Sequence, residues 1–236
     1  MRKAWLVGLL TALPLGAAAE CRLALSMALD VSSSVDTGEY RLQSEGVARA
    51  LENPEVRAAL FQVPGAHVAL QVFEWSGVQD QSIVLDWTPL RTAADVDRAV
   101  QTIRAHRRSF RNSATGLGRA LRFAQAQIAR APDCAFRKID ISSDGQSNVG
   151  IPPQQLYAQT DFGDITVNGL AILSDETALD RYYRYFVIRG AGAFVEVAAD
   201  FNAYPAAIRR KLIRELGVPQ LGATPNGPSR LIAGGR

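Results

Sequence analysis

The sequence predicts an α/β protein of three layers, a mostly parallel, doubly wound sheet with one antiparallel edge strand and helices on both faces. Three observations carry that expectation. Strand-like and helix-like patterns alternate along the whole 236-residue chain, as successive right-handed strand–helix–strand crossovers require. Residues 23–29 are a nearly unbroken apolar run rather than an alternating one, as expected of a strand covered on both faces. Oxygen-rich segments then stand where apolar runs end or a helix begins: Asp30-Val31-Ser32-Ser33-Ser34, Ser113-Ala114-Thr115-Gly116 and Ser142-Ser143-Asp144-Gly145. Open α/β sheets bind ligands at the carboxyl ends of their strands, where the strand order reverses.

The elements follow in order. After the 23–29 strand, Asp36 with Glu39 three residues on forms a capping box, and Tyr40, Val47, Ala50 and Leu51 continue at helical spacing. Pro64-Gly65 interrupts the chain. Residues 67–74 and 82–87 read as two strands joined by a link short enough for an antiparallel hairpin. Thr92-Ala93-Ala94-Asp95 is a second capping box, leading into Val96, Ala99, Val100 and Ile103. A helix starts near Gly116, with Leu117, Ala120, Leu121, Ala124 and Ile128 on one face, and stops at Ala131-Pro132. A strand ending at Asp144, a strand at 165–173, a helix at about 178–187 and a strand at 193–198 come next. The last helix runs from about Pro205 to Leu216, stopped by Gly217 and Pro219. There is no internal repeat.

Residues 1–19 read as a secretory signal: Arg2 and Lys3 precede an apolar stretch to about Leu15, and Ala17 and Ala19 satisfy the small-residue cleavage rule. A mature chain starting at Glu20 follows, exported to a periplasm or secreted, with one domain at 20–217 and a flexible tail at 218–236 rich in glycine and proline. Glu20 stands where lipid attachment to Cys21 would need a small residue. No later stretch is long and apolar enough to span a membrane. Without Arg2 and Lys3 the 26 basic residues become 24 against 23 acidic ones, a balance that gives no support to nucleic-acid binding. An oxidising compartment favours a disulfide between the only two cysteines, Cys21 and Cys134. Each begins a strand whose far end carries an oxygen-rich loop, so parallel neighbours would bring both to the opposite edge of the sheet.

Two carboxylates and several hydroxyls on loops at one sheet edge suit a small hard cation, because Mg²⁺ and Mn²⁺ take oxygen ligands in an octahedron. On these residues the chain resembles the von Willebrand factor type A domain, a Rossmann-like fold whose metal-ion-dependent adhesion site (MIDAS) uses an Asp-x-Ser-x-Ser loop, a distant Thr and a distant Asp. The matches are Asp30, Ser32 and Ser34, then Thr115, then Asp144, and the likeness covers residues 22–217, closest to an exported bacterial branch. The resemblance implies that the hydroxyls of Ser32, Ser34 and Thr115 ligate Mg²⁺ or Mn²⁺, with Asp30 and Asp144 acting largely through water. It also implies an open position that an acidic side chain of a protein partner completes.

Other functions are less well supported. A metal-dependent hydrolase would want a general base and a stronger ligand shell, and the two histidines, His67 and His106, show no metal-ligand spacing. A module whose cation only stabilises the fold is the remaining alternative. The loop after the first strand lacks the glycines of a dinucleotide site, and no P-loop appears. The run Arg104, Arg107, Arg108 and Arg111 reads as a solvated helix end rather than a positive rim. Trp75, Trp87 and the cluster Tyr182, Tyr183, Tyr185 and Phe186 read as core.

Overall fold

A computed structural model describes residues 20–111, 113–174 and 176–217. The readings of a signal segment at 1–19 and of a tail at 218–236 lie outside these residues. Six strands form one sheet in the order β3-β2-β1-β4-β5-β6. They are β1 (Glu20–Asp30), β2 (Ala66–Trp75), β3 (Gln81–Leu90), β4 (Cys134–Ser143), β5 (Thr166–Ile172) and β6 (Val195–Ala198). All neighbours are parallel except β2 and β3, so β3 is the antiparallel edge strand that the hairpin predicts.

The long helices are α1 (Thr37–Glu52), α3 (Ala93–Ala105), α4 (Leu117–Ile128) and α7 (Tyr204–Leu216). Both capping boxes form: Asp36 caps α1 with Glu39 answering, and Thr92 caps α3 with Asp95 answering. Two short helices escape the periodicity argument, α2 (Pro54–Leu60) and α5 (Pro153–Gln159), each only seven residues. Apolar recurrence over less than two turns is hard to tell from a loop. The expected helix at 178–187 is also divided: α6 spans Leu179–Tyr182 and a π-helical turn follows at Tyr183–Val187.

Side-chain alternation in β1 builds two cores. Leu23, Leu25, Met27 and Leu29 meet α1, α2, α3 and α7 on one face, while Ala24 and Ala28 meet α4 on the other. Small residues on that second face let α4 lie close to the central strand, and Ile139 and Ile141 of β4 fill the same core. Burial of this apolar surface is the main stabilising term.

Cys21 pairs with Cys134 in the β1–β4 register, their Cα atoms 4.5 Å apart, and the two sulfurs are bonded. The bond closes a separation of 113 residues at the edge opposite the oxygen-rich loops. Midway along β4, under α7, lies a buried charge cluster: Lys211 Nζ is 2.7 Å from Asp140 Oδ1 and 2.7 Å from Glu215 Oε1, and Asn168 donates to that same Glu215 oxygen at 2.8 Å. Among the described residues no helix is long and apolar enough to cross a membrane.

Candidate metal centre

The strand order reverses at β1: β2 lies on one side of it and β4 on the other. The loops leaving β1 and β4 therefore face each other across that crevice. Asp30 ends β1, and Asp144 directly follows β4. Thr115 arrives from the α3–α4 connection, positioned by the glycine after it. Gly116 N–H donates to Ser76 O at 2.7 Å, and a Cβ on Gly116 would fall 2.9 Å from the backbone oxygens of Ser76 and Gly77, so only glycine fits there.

All five predicted residues come together. Thr115 Oγ1 donates to Ser32 Oγ at 3.3 Å, Ser32 Oγ and Ser34 Oγ are 3.2 Å apart, and Ser34 Oγ donates to Asp144 Oδ1 at 2.9 Å. Asp30 stands behind this file of four oxygens. Its Oδ1 accepts the Ser32 N–H at 2.7 Å and its Oδ2 accepts the Ser143 hydroxyl at 2.5 Å. Ligands on adjacent corners of a Mg²⁺ octahedron, each about 2.1 Å from the ion, lie about 3 Å apart. The file of hydroxyl and carboxylate oxygens has that spacing and that chemistry, so the residues fit a small hard cation. Among the described residues no group of three His, Cys, Asp or Glu side chains is arranged to hold a metal. The fit therefore rests on hydroxyls.

The electrostatics agree with the donor chemistry. Asp30 and Asp144 are both buried. Burial first, and then the neighbouring Asp144 carboxylate, push the Asp30 carboxyl up to about 7, against hydrogen bonds from Ser143 and Ser32 that lower it. Two desolvated carboxylates side by side disfavour joint ionisation, and a nearby cation reverses that preference.

Several supporting residues gave no motif in the sequence. Asn148 grips Thr115 twice: its Oδ1 accepts the Thr115 N–H at 2.8 Å and its N–H donates to Thr115 O at 2.9 Å. Gln43 on α1 donates to Asp30 O at 2.9 Å. Arg108 corrects the helix-end reading of the basic run. Its Nη2 donates to Val31 O and Ser32 O, both at 2.9 Å, tying down the first loop from outside α3. Arg104, in the last turn of α3, instead pairs with Glu45 and Glu52.

The aromatic cluster is also divided. Trp75 and Tyr183 are fully buried, but Tyr185 is 79% exposed and Phe186 42% exposed. Tyr183 lies across Gly169, where a Cβ would come within 2.3 Å of its ring. The π-turn holds Tyr183 inward and turns its neighbours out, which helical spacing alone does not foretell.

A family model described as "Protein of unknown function (DUF1194)" matches residues 20–220. No curated protein matches the chain. Among solved structures, proximal thread matrix protein 1 from the mussel byssus aligns with a TM-score of 0.61 and 14% identity over 83% of this chain and 48% of that one. Another structure of the same protein, described as having a zinc-occupied MIDAS motif, aligns at 0.55 and 16% over 84% and 48%. A von Willebrand factor type A protein from Catenulispora acidiphila aligns at 0.60 and 18% over 83% and 43%. The chain thus spans about half the length of these solved proteins, and at such identities the likeness shows the von Willebrand factor A fold.

Proposed function

We propose, for a chain that belongs to the DUF1194 family and carries a von Willebrand factor A fold, that it is an exported binding module in which Mg²⁺ or Mn²⁺ mediates contact with an acidic side chain of another protein. The observation that carries this reading is the file Thr115–Ser32–Ser34–Asp144, at octahedral spacing and backed by buried Asp30. Ser32, Ser34 and Thr115 would hold the cation through neutral hydroxyls. Asp30 and Asp144 supply negative charge, Asp30 with both oxygens already committed to Ser32 and Ser143. Such a cation, short of anionic ligands, supplies an electrophilic point that a partner carboxylate can satisfy.

The chain's own part in binding is to fix these oxygens before a partner arrives. Arg108 and Gln43 hold the first loop by its carbonyls, and Asn148 holds Thr115 by its backbone. Preorganisation of this kind limits the ordering cost of association.

Thermal unfolding with Mg²⁺ and with EDTA tests the site. A ligand at about 100 times its dissociation constant stabilises the folded state by about 2.7 kcal/mol, so Mg²⁺ should raise the midpoint, and Thr115→Ala should remove most of that rise. An unchanged midpoint at millimolar Mg²⁺ in the wild type would overturn the metal reading. Surface binding to an immobilised Asp/Glu-rich peptide, present with Mg²⁺ and lost with EDTA, then tests the partner chemistry.

A further inference from the structure

The end of β2 supplies none of the five candidate ligands, yet three consecutive residues there, Glu74, Trp75 and Ser76, each hold a different part of the site. The Trp75 carbonyl accepts the Val31 N–H at 2.9 Å, joining the first loop to the sheet. Ser76 grips both neighbours of Thr115: its carbonyl accepts the Gly116 N–H at 2.7 Å, and its hydroxyl donates to Ala114 O at 3.1 Å. Glu74 holds the connection between α3 and α4. It is 2% exposed, its Oε2 accepts the Ser109 N–H at 2.7 Å and lies 3.3 Å from His106 Nε2, and its Oε1 accepts the Tyr40 hydroxyl at 2.8 Å. Between His106 and Ser109 stands Arg108, which donates to Val31 O and Ser32 O and lies over the Tyr40 ring, 5.7 Å from its centroid.

A buried carboxylate is costly unless hydrogen bonds answer it. The donors that answer Glu74 belong to the segment that carries Arg108 and to the ring beneath its guanidinium, so the carboxylate fixes Arg108 from two sides. Arg108 in turn spans two successive carbonyls of the first loop, one of them Ser32's own. Neutral hydroxyls gain little from each contact with a cation, and their affinity depends on being held in place beforehand. We infer that Glu74 and Ser76 are positioning residues of the metal centre, Glu74 acting on Ser32 through Arg108 and Ser76 acting on Thr115 through the backbone on either side of it. This rests on the metal reading of Asp30, Ser32, Ser34, Thr115 and Asp144.

Titration of Mn²⁺ into metal-free protein by calorimetry tests the assignment, with the thermal midpoint in EDTA recording stability separately. A merely structural role would move the midpoint and leave the affinity alone. Glu74→Leu should bind Mn²⁺ about 10-fold more weakly or worse, the range for lost outer-sphere partners. Glu74→Gln keeps an acceptor for the Ser109 N–H and should stay within about threefold of the wild type. In an Arg108→Ala background Glu74→Leu should cost no further affinity, because two residues acting through one contact are not additive. Ser76→Ala, which deletes one hydroxyl and keeps the carbonyl, should bind about three- to tenfold more weakly with or without Arg108. Wild-type affinity in Glu74→Leu, or an equal loss when Arg108 is absent, overturns the role of Glu74; Glu74→Ala makes the same comparison if Glu74→Leu does not fold. Wild-type affinity in Ser76→Ala overturns the role of Ser76. Absence of Mn²⁺ binding by the wild type overturns both this inference and the metal reading beneath it.

Discussion

Replacing Asp30 by Asn should make the stability of the metal-free protein less sensitive to pH, and the structure sets the size of the effect. An unfolded aspartate ionises near 3.9, whereas burial and the Asp144 carboxylate raise folded Asp30 to about 7. Below about pH 4 both states hold the proton and there is no penalty. Between about pH 4 and 7 the unfolded chain releases its proton while the folded chain keeps it, so stability falls as pH rises. The gap corresponds to at most about 4 kcal/mol, and relaxation of the site would bring it nearer to about 2 kcal/mol. Asn keeps the acceptor for the Ser32 N–H and does not titrate. Urea unfolding in EDTA at several pH values should therefore show the wild type losing about 1.5–3 kcal/mol relative to Asp30→Asn between pH 4.5 and 8. Mg²⁺ at pH 8 should restore most of that in the wild type and little in the variant. A wild-type-minus-variant difference that stays flat across this range would refute the argument that Asp30 is desolvated beside a second carboxylate.

Two further outcomes concern the scaffold rather than the site. Lys211→Met strands the buried carboxylates of Asp140 and Glu215, each 2.7 Å from the lost ammonium. It should lower stability by about 3–5 kcal/mol, as removal of one buried ion-pair partner does, and urea unfolding at neutral pH reads this directly. Reduction of Cys21–Cys134 reopens a closure of 113 residues, for which the chain-entropy model gives about 4–5 kcal/mol. The denaturant midpoint should drop accordingly, while Mn²⁺ affinity of the still-folded reduced protein stays unchanged, since bond and site lie at opposite strand ends.

What was legible in the sequence depended on how local its cause was. The apolar run of β1 and the capping boxes at Asp36 and Thr92 are written within a few residues, and each appears where expected. Nearly equal strand lengths brought the cysteines into register and placed Asp30 and Asp144 at one edge, because parallel pairing converts residue count into distance. The site's supports were not legible for the opposite reason. Arg108 reaches the first loop from 76 residues away, and Asn148 reaches Thr115 from 33. Each is a common polar residue whose role exists only once the loops have met. The π-turn at Tyr183 is of the same kind: the bare surface of Gly169 on the neighbouring strand makes room for an inward ring.

The reversal of strand order at β1 also bears on when the chain can acquire its ion. Asp30 and Ser34 emerge early in synthesis, but Asp144 is reached 110 residues after Ser34, and its strand must dock beside β1 before those oxygens converge. An N-terminal fragment ending before β4 would carry Asp30, Ser32, Ser34 and Thr115 but lack Asp144 and the strand that positions it. Contacts of such sequence separation form late and slowly, so metal capture should coincide with the final docking of β4 rather than seed the fold. Occupancy of the site would then report that the central strands have been assembled.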